Sequence, residues 1–341
     1  MSKGDQVSDG VSFAAPFVDE AEAERVEEAI ASGWLTTGPK TAEFEDEVAS
    51  RVDAERAVGT TNCTAALYLA LRALDVDGEV VTTPMTFATT VSSCRFAGAT
   101  PKLADVRADT VTLDPESVKE AITPETEALL PVHYAGQATD MRALREVAID
   151  HDLALVEDAA HALGGAYEGT PLGTIGDAGA YSFYATKTIT TGEGGMLVTD
   201  DATVADRAER LRIAGVDKNA WEREGETDAD WAYDVAETSL KFNMNDVQAS
   251  IGLAQLEKLS AILDSRRHLA EAYDAALADV PGVDPLAVRD ADEHARHLYP
   301  VFVDESTAGC DRTELAAELD AHGVETSVHY IPIHYHSAFE D

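Results

Sequence analysis

The sequence predicts an α/β protein, in which helices cover both faces of a mostly parallel mixed sheet and a small α/β C-terminal domain follows. Short apolar runs alternate with amphipathic helical patterns, as in parallel sheets. The runs are almost continuously apolar, which is typical of strands buried on both faces. The length of 341 residues favours a large domain at 1–245 and a linking helix with a smaller domain at 246–341.

Six apolar runs are predicted as strands of the sheet, because each is too short for a helix and is bounded by turn-forming residues. Only a short glycine-bearing turn separates the last two runs, so this pair need not be parallel. The six runs are "EVVTTP" (79–84), "TPKLADV" (100–106), "EALLPVHY" (127–134), "LALVEDA" (153–159), "GAYSFY" (179–184) and "GGMLVTD" (194–200).

Helical patterns lie between these runs, and a long loop or lid is predicted at 216–240, where the regular pattern lapses. New strands are predicted within 281–306, a helix at 311–324 and a final strand in "SVHYIPIH" (327–334). No closing helix follows, so we expect the natural C-terminus to extend beyond Asp341. The helical patterns before the small domain cover residues 64–76, 114–122, 140–152, 201–215 and 245–277.

The charge balance argues against nucleic-acid and membrane partners. The chain has 25 Lys+Arg against 64 Asp+Glu, a net charge of −39 and a sequence pI near 4.3. Such a surface repels nucleic acid and anionic lipid. Because the acidic residues are scattered along the chain, we expect a folded protein from a high-salt cytoplasm, where salt screens the repulsion between them. The alternative is an acidic protein of a mesophile. The sequence has no membrane-length apolar run, no apolar signal segment near its start and only three cysteines, which form neither a disulfide framework nor a metal motif.

Lys187 is the first candidate for a catalytic role. It follows an apolar aromatic strand and precedes a glycine-rich turn, in "AYSFYATKTITTGEGGMLVTDD" (180–201). A partly desolvated lysine has a lowered pKa and can act as a nucleophile that forms a Schiff base. The alternative is a lysine whose amine simply reaches the surface.

Three further candidates also follow predicted strands. Asp158 can pair with a protonated ring nitrogen or can cap a helix. The turn in "VGTTNCTAALYLAL" (58–71) offers backbone N–H groups and the Thr64 hydroxyl to an anion, or is an ordinary capped helix start. Phe87 can stack on a flat ring or belong to the core. Together with Lys187, these features are the set that pyridoxal 5′-phosphate (PLP) requires.

The chain resembles the DegT/DnrJ/StrS family of nucleotide-sugar aminotransferases, which have the fold-type-I PLP architecture. The resemblance runs through nearly the whole chain in the order of the family. It is carried by "SGWLTTGPKTAEFEDEV" (32–48), "NCTAALYLALRAL" (62–74), "TTPMTFATT" (82–90), "VEDAAHALGGAYEG" (156–169), "YSFYATKTITTGEGGMLVTDD" (181–201), "FNMNDVQASIGLAQLEKL" (242–259) and "SVHYIPIH" (327–334).

The resemblance implies a role for each candidate. Lys187 would hold the cofactor covalently and then act as the general acid and base, and Asp158 would keep the ring nitrogen protonated. Phe87 would stack on the ring, with His161 beside the phenolic oxygen. Cys63, Thr64 and Ser182 would bind the phosphate. The protein would be a homodimer with shared active sites, in which Lys241 or Asn243 of the neighbouring subunit would also bind that phosphate. The segments that would contact the sugar contain Trp34, Thr36, His329 and Tyr330.

This sequence departs from the family pattern at two of these positions. Many members have Ser-Gly-Thr at the phosphate turn, where this chain has Asn62, Cys63 and Thr64, so the turn must accept a thiol. Many also have Asn where Lys241 falls, and Asn243 lies two residues further on. The two residues therefore remain alternative ligands of the phosphate.

The resemblance implies a cytoplasmic PLP-dependent aminotransferase that converts a nucleotide-linked keto sugar to an amino sugar, with glutamate as donor, for glycan or polysaccharide biosynthesis. No metal is expected. Some relatives that have histidine in place of the lysine are sugar dehydratases, and Lys187 argues against that branch. A PLP-dependent dehydratase or lyase, and a non-catalytic regulator that binds PLP or a nucleotide sugar, remain alternatives.

Overall fold

The computed structural model describes residues 10–216, 233–289 and 292–339. Most of the loop or lid predicted at 216–240 lies outside these residues. The elements of the first 245 residues are α1 (Glu20–Ser32), α2 (Pro39–Val52), β1 (Arg56–Thr60), α3 (Cys63–Ala73), β2 (Glu79–Thr82), α4 (Ala88–Ala97), β3 (Thr100–Leu103), α5 (Pro115–Ala121), β4 (Thr126–Leu130), α6 (Met141–His151), β5 (Ala154–Asp158), β6 (Ala166–Tyr167), β7 (Thr170–Pro171), β8 (Ala178–Ser182), β9 (Gly195–Thr199) and α7 (Ala202–Arg212).

A seven-stranded mixed sheet forms the centre of the molecule, in the order β1-β9-β8-β5-β4-β2-β3. The pairs from β8 through β5, β4 and β2 to β3 are parallel, whereas β9 runs antiparallel to both β8 and β1. The prediction of a mostly parallel sheet is confirmed, and β9, the last of the predicted strands of the sheet, is the strand that runs in the opposite direction.

Helices cover both faces of the sheet, because successive side chains of a strand point to opposite faces. On one face α2, α6 and the first half of the long helix cover Val81, Leu129 and Leu155. On the other face α3, α4 and α7 cover the neighbouring residues Val80 and Val156. The buried, apolar helix α3 packs against β8 and β9 and fixes its own N-terminus at the edge of the sheet.

Two details of the sheet region differ from the predictions. The strand β3 has no fully buried residue, because it lies at the edge of the sheet. The prediction that it is buried on both faces is wrong. The helix α4, which follows β2, was not predicted by the sequence patterns. Its sequence, "ATTVSSCRFA", is rich in Thr, Ser and Val, which have low helix propensity. Packing of the buried side chains of Val91 and Cys94 offsets that low propensity.

The C-terminal part begins with the long helix α8 (Asp246–Leu277), capped at Asn245 by a reciprocal pair of hydrogen bonds with Gln248. Its first half packs on α1 and α2. The strands β10 (Val283–Pro285) and β11 (Val301–Val303) form an antiparallel pair, and α9 (Glu305–Ala308) and α10 (Arg312–Ala321) follow. The strands predicted within 281–306 and the helix predicted at 311–324 are thus confirmed.

The final strand predicted at 327–334 is wrong. Residues 325–332 have no ladder partner, and a short 3₁₀ turn follows at Ile333–Tyr335. Pro332 lacks an N–H donor, and the segment is anchored instead by other bonds: the Tyr134 hydroxyl donates to the carbonyl of His329, and Tyr330 bonds to His161. Among the described residues, no helix is both long and apolar enough to cross a membrane.

Candidate active site

Several of the predicted site residues lie at one edge of the sheet. The strands β1, β2, β4, β5 and β8 all point in the same direction, so their carboxyl ends share that edge. Asp158 ends β5, Ser182 ends β8, and the turn that starts α3 follows β1. Ligands of α/β proteins bind at the carboxyl ends of the strands. The topology therefore brings these predicted residues to a common crevice.

Asp158 is a buried carboxylate held by two hydrogen bonds. Its Oδ2 accepts from the Thr90 hydroxyl at 2.7 Å, and its Oδ1 accepts from the backbone N–H of Ala160 at 3.1 Å. Burial raises the pKa of the carboxyl, and the bonds from Thr90 and Ala160 oppose that shift. The residues after Asp158 form turns and not an α-helix, so the alternative role as a helix cap does not apply.

Lys187 lies in the loop after β8, close enough to Asp158 for the carboxylate to act electrostatically on its amine. Its side chain is half-buried, and burial lowers the pKa of the amine, while Cys63 and Asp158 act electrostatically to raise it. Its Nζ has no hydrogen bond or ion pair with any residue that the structure describes. A desolvated amine beside a carboxylate fits the nucleophilic interpretation of Lys187 better than the surface one.

The turn before α3 presents open donors at the same edge. The Asn62 side chain caps the helix by accepting from Ala65 N at 2.9 Å. The N–H groups of Cys63 and Thr64 belong to the first turn, which has no intrahelical acceptor, and they bond to no other described residue. The turn is therefore both a capped helix start and a place where donors and the helix dipole meet an anion.

The thiol of Cys63 points away from these donors. Its Sγ lies 3.5 Å from the carbonyl of Ala180 in β8, and burial raises the pKa of the thiol well above its usual value. The turn thus accepts a cysteine by packing its side chain against the sheet. Gly195 passes so close to the turn that an added Cβ would lie 2.4 Å from the carbonyl carbon of Asn62.

A cluster of neutral rings lies beside Lys187. His161 is buried, its Nε2 is 3.0 Å from the Tyr330 hydroxyl, and its ring centroid is 4.4 Å from that of His297. Burial lowers the pKa of His161 and of His297 well below the usual value, and Lys187 adds to both shifts. The Nδ1 atoms of both histidines are buried without a hydrogen-bond partner among the described residues.

Phe87 and His329 lie at the mouth of this cluster. Phe87 is 59% exposed, so it is not a core residue, and its ring centroid is 6.1 Å from that of Tyr330. His329 is half-buried, with its ring centroid 5.4 Å from that of Phe13. Both rings are thus open to a ligand that enters the crevice.

The other predicted residues form a separate group. The Nζ of Lys241 donates to Oδ1 of Asn243 at 2.7 Å, and Nδ2 of Asn243 donates to the Thr37 hydroxyl at 2.6 Å. The Trp34 indole donates to the carbonyl of Thr37, and the Thr36 carbonyl accepts from Asp246 N. The structure therefore joins the Trp34–Thr37 segment to the segment at 241–246.

Two residues that the sequence did not single out belong to the site. Thr90 lies four residues after Thr86, and their hydroxyls are 2.7 Å apart, so the two form a chain of hydrogen bonds that ends on Asp158. The position of Thr90 within "TTPMTFATT" was visible, but its long-range partner was not. His297 comes from the C-terminal part and had no local signal in the sequence.

Similarity to known proteins covers nearly the whole chain. The DegT/DnrJ/EryC1/StrS aminotransferase family model matches residues 16–341. The spore coat polysaccharide biosynthesis protein SpsC of Bacillus subtilis (strain 168) is 43% identical over 331 residues, which cover 96% of this chain and 85% of SpsC.

Solved structures agree in fold. The putative sugar aminotransferase Spr1654 from Streptococcus pneumoniae, in its PMP form, superimposes with a TM-score of 0.90 at 33% identity, covering 97% of this chain and 88% of Spr1654. DesI, solved in the presence of its TDP-sugar product, gives a TM-score of 0.87 at 35% identity, covering 97% and 82%. These relatives confirm the expected fold-type-I architecture. The chain belongs to the DegT/DnrJ/EryC1/StrS aminotransferase family, whose members are PLP-dependent sugar aminotransferases.

Proposed function

We propose that this enzyme transfers the amino group of L-glutamate to the keto group of a nucleotide-linked sugar, in glycan or polysaccharide biosynthesis. As a member of its family it is a PLP-dependent sugar aminotransferase. The observation that carries the proposal is the meeting of Lys187, Asp158 and the α3 N-terminus at one sheet edge. The TDP-sugar product of DesI supports a nucleotide sugar, and SpsC supports a polysaccharide pathway.

The described residues fit the cofactor. The buried carboxylate of Asp158 suits a protonated pyridine ring, and the half-buried amine of Lys187, which has no partner among the described residues, suits an aldehyde. The open N–H groups at the start of α3 suit a phosphate. The buried Nδ1 of His161, also without a described partner, suits a phenolic oxygen. When bound, PLP supplies an electron sink that stabilises negative charge on the carbon next to the transferred nitrogen.

Lys187 would attach the cofactor and move the proton. Burial lowers the pKa of its amine, so a larger share of neutral amine is present for attack and for proton abstraction at a given pH. Because burial lowers the pKa of His161 and of His297, neither ring adds a positive charge near Lys187 at neutral pH.

Asp158 would hold a proton on the ring nitrogen of the cofactor. Burial raises the pKa of the carboxyl, and the Thr90 hydroxyl, which orients Oδ2, lowers it and so favours the charged form. The N–H groups of Cys63 and Thr64, the Thr64 hydroxyl and the hydroxyl of Ser182 would bind the phosphate.

The remaining predicted residues complete the proposal. Phe87 would stack on the ring, and Trp34, Thr36, His329 and Tyr330 would contact the sugar. The active site would be shared in a homodimer through Lys241 or Asn243, which lie on a half-exposed segment. The division into domains at 1–245 and 246–341 and a high-salt cytoplasmic location, supported by the net charge of −39, also remain proposals.

A panel of nucleotide-linked keto sugars tests this function. The enzyme, PLP and glutamate are incubated at high KCl, and the products are identified by mass spectrometry. The proposal requires an amino sugar together with one 2-oxoglutarate per turnover. Loss of water from the sugar without transfer of nitrogen would instead identify a dehydratase. Sugar binding without any turnover of glutamate would identify a regulator.

A further inference from the structure

A cleft of about 400 Å³ opens beside Lys187, between the N-terminal segment, α8 and the C-terminal part. Thr186, the residue before the lysine, lines it, together with His297 and His329. Because Thr186 lines the cleft, the backbone of Lys187 lies next to this wall, and Lys187 also acts electrostatically on His297 and His329. A ligand in this cleft therefore lies against the loop that carries Lys187.

The wall of the cleft has an unusual charge for this protein. Acidic residues outnumber basic ones by 64 to 25 in the chain, yet no carboxylate is among the described residues that line the cleft. Its charged side chain is Arg266, on α8. His297 and His329 remain neutral near pH 7, because burial lowers the pKa of each. The remaining wall is largely apolar, with Phe13 and Phe17 from the N-terminal segment.

The guanidinium of Arg266 has N–H donors that make no hydrogen bond to the described residues. Its Nη1 donates to the backbone carbonyls of Arg296 at 3.2 Å and His297 at 3.0 Å. It makes no ion pair with any residue that the structure describes, and a guanidinium offers five donors in a planar fork. The neighbouring Arg267, in contrast, pairs with Asp264 at 2.9 Å and Glu293 at 3.8 Å. Arg266 is thus a partly buried cation, held by two backbone carbonyls, with no anionic partner in the part of the chain that the structure describes.

We propose that this cleft binds the amino donor and that Arg266 pairs with a carboxylate of that donor. The inference rests on the proposed function. One guanidinium matches one carboxylate in a bidentate pair. A nucleotide diphosphate carries more negative charge, and this wall offers no second cation among the described residues. The apolar wall suits the methylene groups of a dicarboxylic amino acid, whose amino group points toward Lys187.

The test measures binding of 2-oxoglutarate to the PLP-loaded enzyme by calorimetry, because this keto acid cannot react with the PLP form. Arg266→Gln should weaken binding about 10- to 100-fold, as expected when a charge-assisted hydrogen bond is lost. The matched control Arg267→Gln should bind as the wild type does. Arg266→Gln should also raise the KM for glutamate in cofactor amination by a similar factor.

A second variant and a second set of ligands distinguish the possible explanations of a loss of binding. Ala261 lines the cleft without a charge, so Ala261→Trp should weaken 2-oxoglutarate binding even if Arg266→Gln does not fold. Binding of UDP and dTDP should be unchanged by Arg266→Gln. The proposal is overturned if the wild type does not bind 2-oxoglutarate, if Arg266→Gln or Ala261→Trp binds it normally, or if Arg266→Gln weakens only the nucleotides. Amino transfer to the keto sugars by the wild type is measured in parallel, so failure of the function is distinguished from failure of this site.

Discussion

The hydroxyl of Thr90 donates a 2.7 Å hydrogen bond to Oδ2 of Asp158, and both side chains are buried. This bond joins the N-terminal turns of α4 to the end of β5, two elements on separate parts of the chain. It lowers the pKa of a carboxyl that burial alone would raise, so it favours the charged form that a protonated ring nitrogen needs.

Replacing Thr90 by Val should therefore weaken cofactor binding. The variant keeps the shape of the side chain but removes the donor, and the loss of a hydrogen bond to a charged group corresponds to about 10-fold or more in the dissociation constant of PLP. Fluorescence titration of the apo enzyme with PLP measures it. Thr86→Val is the matched control, since Thr86 bonds to Thr90 and not to Asp158. Equal affinity of Thr90→Val and the wild type would contradict the role of this bond.

The phosphate turn should depend on backbone atoms at Cys63 and on the side chain at Thr64. Cys63→Ala removes a thiol that points toward Ala180, so PLP affinity should stay within about twofold, although stability should fall by about 1 kcal/mol through lost packing. Thr64→Val should weaken PLP binding severalfold, because a hydroxyl donor to an anion is lost. The same titration measures both variants, and a larger loss of affinity in Cys63→Ala would reverse the assignment.

Shared active sites should appear as complementation between inactive variants. Lys187→Ala lacks the proposed lysine, and Asn243→Ala lacks one of the two candidate ligands from the neighbouring subunit. If sites are shared, a mixed population of dimers contains intact sites, and unfolding and refolding equal amounts together should restore about a quarter of wild-type activity. Lys241→Ala is tested in the same way, and the variant that complements identifies the ligand. No recovery with either variant would argue against sharing.

Stability should fall as the pH drops below about 6.5, the usual pKa of histidine. Folding lowers the pKa of His161 and of His297. In the pH window between about 6.5, the pKa of histidine in the unfolded chain, and the lower pKa of each histidine in the folded protein, the unfolded chain therefore binds more protons than the folded one. The stability present above this window is lost within it, by up to about 1.4 kcal/mol per pH unit for each histidine.

Urea unfolding of the holoenzyme at pH 7 and pH 5 measures this effect. His297→Gln should show a smaller loss between the two values than the wild type, because one proton-binding group is removed. His268, which is exposed on α8, provides the control, and His268→Gln should leave the pH dependence as it is. Parallel pH profiles for His297→Gln and the wild type would contradict a neutral buried His297.

Local patterns predicted most of the central fold. Continuous apolar runs gave β2, β5, β8 and β9 to within a few residues, since burial on both faces leaves a strong signal. Those patterns do not contain the order of the strands in the sheet, so they could not predict that β3 lies at the edge and is partly exposed. The helix α4 was missed because packing overrides weak local propensity, and the extended chain around Tyr330 was taken for a strand because its aromatic residues also favour sheets.

The candidate site was predicted where its residues follow strands. Asp158, Ser182 and the turn at Cys63 could be placed at one edge because parallel strands share it. Thr90 and His297 could not be identified, because each acquires its role from a contact with a distant part of the chain. Such contacts leave no period or motif in a single sequence.

The central claim is that Lys187 holds the cofactor covalently, and borohydride reduction tests it most directly. The PLP-loaded enzyme is reduced, digested and analysed by tandem mass spectrometry. The account predicts one modified lysine, with the reduced cofactor on Lys187, and no modification in Lys187→Ala. Reduction that fixes the cofactor on a different lysine, or that leaves Lys187 unmodified while the enzyme is saturated with PLP, would contradict it.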